Sequence, residues 1–503
     1  MSYVRYSGSR LKKCKNPPVN WRRKNQNLSL SSDLPPKGER FITMLIQKAF
    51  SVSRALSTSR YLSSLLSIQM HTANLPKSPY FSFYSNNHCN FLKSKPLSIY
   101  LPSVSFPYCT SSLSLGKSSG KGGLPIAALL EIGGVKIAKD DVVKESDPTN
   151  NVPDSIFAKL GMQLHRRANH PLGILKKTIH DYFDTNFPGK FEKFDDLCPI
   201  VTVKQNFDDV LVPPDHVSRS YNDTYYVNSD TVLRCHTSAH QAELFRNGHT
   251  HFLVTGDVYR RDSIDSTHYP VFHQMEGVRV FSPEEWSGSG MDGTAYAAAE
   301  LKKSLEGLAK HLFGDVEMRW VDTYFPFTNP SYELEIFFQG KWLEVLGCGV
   351  TEQAILRASG RTDIVAWAFG LGLERLAMVL FDIPDIRLFW STDERFTSQF
   401  SEGKLGVKFK SFSKFPPCYK DMSFWINDGF TENNLCEIVR GIAGDLVEEV
   451  TLIDNFTNKK GMTSHCYRIT YRSMERSLTD DEINELQVKV REDVQNKLKV
   501  VLR

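Results

Sequence analysis

Two arginines, a histidine, an amide and a carboxylate crowd one stretch of this chain, GDVYRRDSIDSTHYPVFHQMEG, residues 256–277: Arg260, Arg261, His268, Gln274 and Glu276. HFLV before it and VFHQMEGVRVF at its end are β-branched and aromatic, with a period of two, as in strands. In the second run Phe272, Gln274, Glu276, Val278 and Val280 then share one face. A carboxylate and an amide on an otherwise apolar face are costly without a partner. One reading is an internal hydrogen-bond network. The other is a site for a cationic, polar group beside an anion, for which the forked donors of arginine suit phosphates. A second arginine, Arg375, follows Glu374 in AFGLGLERLAM. His236 and His240 are four apart and could share a metal on a helix, but no third ligand accompanies them. None of the nine cysteines forms C-x-x-C, so no zinc site is expected.

These residues need a sheet to hold them. From Pro199 to about Thr351 the pattern is mostly strand: IVTVKQNF, TYYV, TVLRCHTSAHQ, the pair above, YELEIFF and KWLEVLGCGVT. A helix is expected over 171–183, with Pro171 in its first turn and Leu172, Leu175, Ile179 and Tyr182 on one stripe. Another is expected from about Ala295 to Leu312. Residues 364–381 read as strand, glycine turn and helix, closed by Pro384. Antiparallel strands with helices outside them make an α+β domain. Residues 396–410 read as a polar linker. The unit over 411–503 has the order β-α-β-β-α with a short last strand at VVLR, which is ferredoxin-like. Thr479 and Glu482 form a capping box for its final helix. With 13 basic and 15 acidic residues, its composition does not announce nucleic-acid binding, and only Lys459, Lys460, Arg468 and Arg472 offer a local basic patch.

The net charge of +4 over 503 residues hides an asymmetry. Residues 1–120 hold 17 Lys and Arg against 2 acidic residues and are rich in serine, so the remainder carries −11. Basic, serine-rich and acid-poor is the composition of an organelle transit peptide; a basic tail that contacts RNA is the alternative. Met44 opens MLIQKAFSVSRALSTSRYLSSLL, which has the character of a presequence with its own start. No apolar run approaches the roughly 20 residues of a membrane span.

GDVYRRD resembles motif 2 of class II aminoacyl-tRNA synthetases, and AFGLGLERLAM resembles motif 3. HTSAHQ, VFHQMEG, FPFTNPS and WLEVLGCG are similar to the phenylalanyl-tRNA synthetase family in its single-chain organellar branch. The resemblance covers residues 160–503. It implies a class II antiparallel sheet flanked by helices (161–395), preceded by an arm (121–160) and followed by a ferredoxin-like βαββαβ anticodon-binding domain. It implies activation of L-phenylalanine with ATP and Mg²⁺, transfer to tRNA(Phe), a monomer, and residence in the chloroplast stroma, the mitochondrial matrix or both. By the same resemblance Arg260 would hold the α-phosphate, Arg375 the far phosphates, and His268 would lie over the nucleotide. Gln274 and Glu276 would receive the amino acid's polar end, opposite Ser238, Ala239, His240 and Gln241. Thr267, Met275, Glu344 and Phe369 would complete the pocket, and Glu344 would alternatively help position Mg²⁺. Phe325 and Phe327 would face the substrate ring, with Ala368 on the pocket floor. Asp262 departs from the usual glutamate of motif 2, so its adenine contact is expected to differ. Two other readings are a catalytically dead relative that only binds RNA and a ligase for another amino acid or for biotin or lipoate.

Overall fold

The structure is a computed structural model that describes residues 129–503, apart from 145, 413 and 414. The expected transit segment lies outside the described residues. A hairpin of β1 (Leu129–Ile132) and β2 (Val135–Ala138) comes first, turning at Gly133 and Gly134, both at positive φ. Helix α1 (Pro171–Asn186) is capped by His170, whose Nδ1 accepts from Leu172 N–H, and buries Leu172, Leu175, Ile179 and Tyr182 as the stripe predicts. Three strands follow: β3 (Glu192–Phe194), β4 (Ile200–Thr202) and β5 (Tyr226–Asn228); β6 (Thr231–Leu233) joins β4 and β5 in a small separate sheet. The expected strand IVTVKQNF stops at Thr202. Thr202 and Gln205 make a capping box that starts a short helix at Val203. Likewise TVLRCHTSAHQ is a strand only to Leu233, then a helical turn at Thr237–His240 and a helix at Gln241–Arg246.

The long strands are β7 (His251–Tyr259), β8 (Val271–Phe281), β9 (Met318–Phe325), β10 (Thr328–Phe338), β11 (Lys341–Thr351) and β12 (Val365–Gly372). With β3 they form one sheet in the order β3-β7-β8-β12-β11-β10-β9, antiparallel except for the β3–β7 pair. Helix α2 (Gly293–Phe313) and helix α3 (Leu373–Phe381) cover one face with α1; their apolar stripes share a core with Leu253, Met275, Trp367, Phe369 and Leu371. The other face carries a second cluster, in which Val254, Val278, Ala366 and Ala368 meet Phe325 and Phe327.

The C-terminal module is β13 (Cys418–Trp425), α4 (Glu432–Ala443), β14 (Val447–Thr457), β15 (Thr463–Tyr471), α5 (Asp480–Leu498) and β16 (Val501–Leu502). Its sheet runs β14-β15-β13-β16, and both helices lie against one face over Phe424, Leu435, Val439, Tyr467, Ile469 and Val490. Thr479 and Glu482 cap α5 reciprocally. Gly444 at positive φ ends α4, so Leu446 lies beyond the helix. Among the described residues no helix is long and apolar enough to cross a membrane.

Candidate active site

The register of β8 decides what can meet. Gln274 pairs with Gly372, Glu276 with Gly370 and Val278 with Ala368, so these three side chains share a face with two positions of β12 that have none. On β11, Gly347 pairs with Gly370 and Gly349 with Ala368. The middle of this face is therefore a glycine floor, bordered by Gln274 and Glu276. A Cβ at Gly372 would meet nothing within 4 Å, so open space lies above it. Plain alternation from Gly347 would aim Glu344 at the core. A register shift between Leu334 and Glu335 bulges β11 at Val345 and puts Glu344 on the floor's face instead.

Glu276 is buried and held by two neighbours from the helical turn at Thr237–His240 and the helix after it. Ser238 Oγ donates to one carboxylate oxygen, and Gln241 Nε2 donates to the other at 2.9 Å. Burial raises its pKa to about 7, with the two hydrogen bonds opposing. Gln241 Oε1 and Gln274 Oε1 are both buried and without a partner among the described residues. A buried carboxylate that titrates near neutrality, ringed by unused amide oxygens, is suited to receiving an ammonium group.

The basic residues come from two elements. Arg260 leaves the end of β7, donates through Nε to the Cys235 carbonyl at 2.9 Å and lies over the Phe272 ring, on the Gln274 face. Arg375 sits in the first turn of α3, half exposed, with Nη1 3.5 Å from Glu344 Oε2. Glu344 Oε1 is buried with no partner among the described residues. His268, in the loop between β7 and β8, bonds through Nδ1 to Asp265 Oδ2 at 2.6 Å. That bond raises its pKa against desolvation, so the ring is readily cationic. Asp262 and Arg375 both act on His268 electrostatically, which places the loop near the helix arginine.

Several expected pocket residues point elsewhere. Met275 and Phe369 lie on the opposite face, in the core under α1; Phe369 stacks on Phe183 at 5.7 Å. The period of two that presents Gln274, Glu276 and Ala368 sends these neighbours away. Ala239 packs with Val201, Tyr226 and Val232 in a small core beneath the β4-β6-β5 sheet. His240 Nε2 pairs with Arg234 Nη1 at 2.8 Å, and burial, then Arg234, lower its pKa to about 3. Thr267 is tied to Asp265 through Oγ1 at 2.8 Å and shapes the loop. Phe325 and Phe327, by contrast, stay beside Ala368: Phe325 ends β9, Phe327 lies in the turn that follows, and their rings stack in parallel at 5.8 Å. The expected strand–turn–helix at 364–381 has no turn: Gly370 and Gly372 are strand residues, and the helix starts directly at Leu373.

Two features have places that the sequence did not assign. His236, weighed above only as a metal partner of His240, is buried next to Phe327 at 6.5 Å, and among the described residues neither ring nitrogen has a full hydrogen-bond partner; burial, then Arg260, keep it neutral, with a pKa near 3. The other is a buried ion pair. Arg234 Nη2 meets Asp257 Oδ1 at 3.0 Å and fills the space over Gly256, where a Cβ would come within 2.0 Å of it.

The loop of Arg260 and His268 is also gripped by the C-terminal module. Asn433 Nδ2 donates to the carbonyls of Asn222 and Arg261 at 3.0 and 3.1 Å, and Arg440 Nη2 to that of Asp262 at 2.9 Å. Val450 N–H donates to the Ile264 carbonyl, and the Ile264 side chain is part of the module's own core. Tyr269 bonds Asp445 at 2.6 Å, while Arg387 donates to the carbonyls of Asp445 and Arg472.

Comparison with known proteins bears on this geometry. The family described as tRNA synthetases class II core domain (F) matches residues 156–400, and the ferredoxin-fold anticodon binding domain matches 413–503. The phenylalanine–tRNA ligase, chloroplastic/mitochondrial, of Arabidopsis thaliana is 78% identical over 380 residues, 75% of this chain and 89% of that protein. The chain belongs to the phenylalanine–tRNA ligases. Mitochondrial phenylalanine–tRNA ligases of Dictyostelium discoideum and Mus musculus are 48% and 47% identical over 416 and 415 residues. These cover 73% and 76% of this chain, and 92% and 90% of the relatives. The alternative of a biotin- or lipoate-type ligase falls with that membership. The glycine-floored face of this phenylalanine–tRNA ligase lies wholly within the class II core.

Proposed function

We infer that the chain activates L-phenylalanine with ATP to phenylalanyl-adenylate and passes the phenylalanyl group to tRNA(Phe) for organellar translation. The observation that carries the site assignment is the buried Glu276, bonded to Ser238 and Gln241, on the same open sheet face as the arginine-bearing ends of β7 and β12. Glu276 and Gln274 take the ammonium group. Phe325, Phe327 and Ala368 take the ring, and neutral His236 donates or accepts near the carboxylate. Arg260 holds the α-phosphate, Arg375 the far phosphates, and cationic His268 covers the nucleotide from the loop. The carboxylate attacks the α-phosphorus in line, a P–O bond forms, and the bond to pyrophosphate breaks. The terminal tRNA hydroxyl then attacks the mixed anhydride and AMP leaves. No protein nucleophile takes part, so the rate comes from positioning and charge stabilisation.

Class II synthetases use a divalent metal with ATP, and we assign Mg²⁺. Among the described residues no group of three or more His, Cys, Asp or Glu could hold an ion. The unpaired Glu344 Oε1 fits an ion carried mainly by phosphate oxygens. Such an ion neutralises developing phosphate charge.

For tRNA, the open face of the C-terminal sheet supports a second contact. Tyr419, Trp425 and Phe456 project from it, with Arg468 over Tyr419 at 5.8 Å and Arg503 over Trp425 and Phe456 at 5.5 and 5.3 Å. Aromatic platforms with arginines suit stacked single-stranded bases. Arg472, expected in a basic patch, is instead held by Glu448 against the catalytic core. Action as a monomer, in the stroma or the matrix, completes the proposal. Phenylalanine-dependent ATP–pyrophosphate exchange tests activation. Trp425→Ala is expected to raise the KM for tRNA about tenfold while leaving exchange unchanged; equal loss in both would remove the assignment of that face.

A further inference from the structure

One buried pair next to the site has no part in the chemistry above. The β8–β12 ladder ends at the Gln274–Gly372 pair, and the chain turns into α3 at once. Gly372, the residue before the helix, has no side chain with which to cap it. One residue beyond the ladder, His273 N–H donates to Glu374 Oε2 at 2.7 Å, and His273 Nδ1 meets Glu374 Oε1 at 2.7 Å. Both oxygens of a single carboxylate in the first turn of α3 are thus fixed to a single residue of β8. Glu374 is 2% exposed and His273 0%. The imidazole is wedged between Trp390, stacked at 5.8 Å, and His165 at 5.1 Å, so it cannot yield. Across β7, Asp257 pairs with His273 in register and is itself held by Arg234 and Tyr259. The residues next to this clip are Arg375 on α3 and Gln274 on β8.

A buried carboxylate with one partner residue is an expensive way to join a helix to a strand, since apolar packing would do the same. Its directionality is what apolar packing lacks. Two hydrogen bonds fix the rotation of the first turn of α3 about its axis, and therefore the direction in which the half-exposed Arg375 leaves the helix. We propose that Glu374 and His273 are a positioning pair that aims Arg375 over the glycine floor, and that their contribution to the reaction is made through Arg375 and the nucleotide rather than through phenylalanine. The proposal rests on the ATP role given to Arg375 above, and the test separates the two.

The full chain carrying Glu374→Ala, Glu374→Gln, Arg375→Ala or the double change Glu374→Ala/Arg375→Ala is assayed by ATP–pyrophosphate exchange. Phenylalanine binding without ATP is measured by calorimetry. Glu374→Ala is expected to lower kcat/KM for ATP by about 10²-fold, the effect of a misplacement of roughly 1 Å, with phenylalanine affinity within threefold of the parent. Glutamine can accept from His273 N–H and donate to Nδ1, so Glu374→Gln is expected to recover at least tenfold of that loss. The double variant is expected to be no more than threefold worse than Arg375→Ala alone, because the carboxylate has nothing left to aim. The proposal is overturned if Glu374→Ala keeps kcat/KM for ATP within threefold, if phenylalanine affinity falls in parallel, if Glu374→Gln is no better than alanine, or if the losses multiply in the double variant. Near-normal exchange by Arg375→Ala would instead remove the ATP role of Arg375 itself. Should Glu374→Ala be insoluble, Glu374→Asp, too short to reach both donors, is judged by the same criteria.

Discussion

At the scale of residues, Glu276 carries the sharpest consequence. Its pKa of about 7 in the folded protein stands above the ordinary carboxylate value of 4.5 because of burial. The native state therefore binds more protons than the unfolded chain between about pH 4.5 and 7, and this group's contribution to stability falls as pH rises through that window. An incoming ammonium group favours the ionised form. Phenylalanine binding at pH 6 is expected to release a proton, seen as a buffer-dependent calorimetric enthalpy that fades above pH 8; Glu276→Gln should abolish the buffer dependence. No buffer dependence in the parent at pH 6 would sever Glu276 from the ammonium. Arg375→Ala is expected to cost on the order of 2 to 4 kcal/mol of transition-state stabilisation, read as a 10²- to 10³-fold loss of exchange in a protein with unchanged circular dichroism. Strand pattern named Glu276, because a charged side chain at a sheet position is conspicuous, whereas Arg375 was named by the resemblance of AFGLGLERLAM to motif 3. Met275 and Phe369 were misplaced by the same pattern. A motif string names neighbours together, whereas a strand sends alternate neighbours to opposite faces.

At the scale of elements, β11 and β12 shape the pocket by what they omit. Glycines at 347, 370 and 372 leave the floor without side chains, Gly349 lets Thr328 and Pro330 pack close beside it, and the bulge at Val345 delivers Glu344 to its edge. Next to that floor Ala368 faces Phe325 and Phe327 in one buried cluster. An apolar pocket rejects an added hydroxyl by only roughly 10²-fold. Ring-hydroxylated phenylalanines are therefore expected to be charged measurably, meta more than para. Ala368→Gly should improve the kcat/KM for para-substituted analogues about tenfold or more by opening the floor, measured as charged tRNA per analogue. Unchanged use of such analogues would place the para position away from Ala368. The bulge was not legible in the sequence: KWLEVLGCGVT alternates well enough for an unbroken strand, and only the partner strand's count of residues reveals the shift.

At the scale of the whole molecule, the two modules are joined through the catalytic loop itself. Every residue assigned to ATP or phenylalanine precedes residue 395, and on that ground alone the C-terminal unit would be dispensable for activation. The contacts of Asn433, Arg440, Val450 and Asp445 with residues 261–269 argue otherwise. Removing 411–503 bares Ile264 and frees four backbone carbonyls, those of residues 261–264, in the loop that carries His268. A soluble chain ending at residue 410 is expected to lose about 10- to 10²-fold in phenylalanyl-adenylate formation, in addition to all tRNA charging. Asn433→Ala/Arg440→Ala in the intact chain should reproduce part of that activation loss. Full adenylate formation by the truncated chain would show that the loop orders itself without the module.

The sequence by itself determined the α+β core, the ferredoxin-like module, the helices with apolar stripes and the capping box at Thr479 and Glu482, because each rests on local periodicity or on residues three or four apart. It also singled out Glu276 and Gln274 as polar groups in a strand run, while the roles expected of Arg260 and Arg375 came from the resemblance of GDVYRRD and AFGLGLERLAM to class II motifs. Only the tertiary structure decided which neighbours share a face, how the bulge at Val345 turns Glu344 toward the glycine floor, that His240 is spent on Arg234, that Glu374 is clipped to His273, and that the catalytic loop rests on Asn433 and Arg440. Those facts depend on strand register and on contacts between residues up to 178 positions apart. No local pattern encodes them, because packing of the assembled sheet selects them.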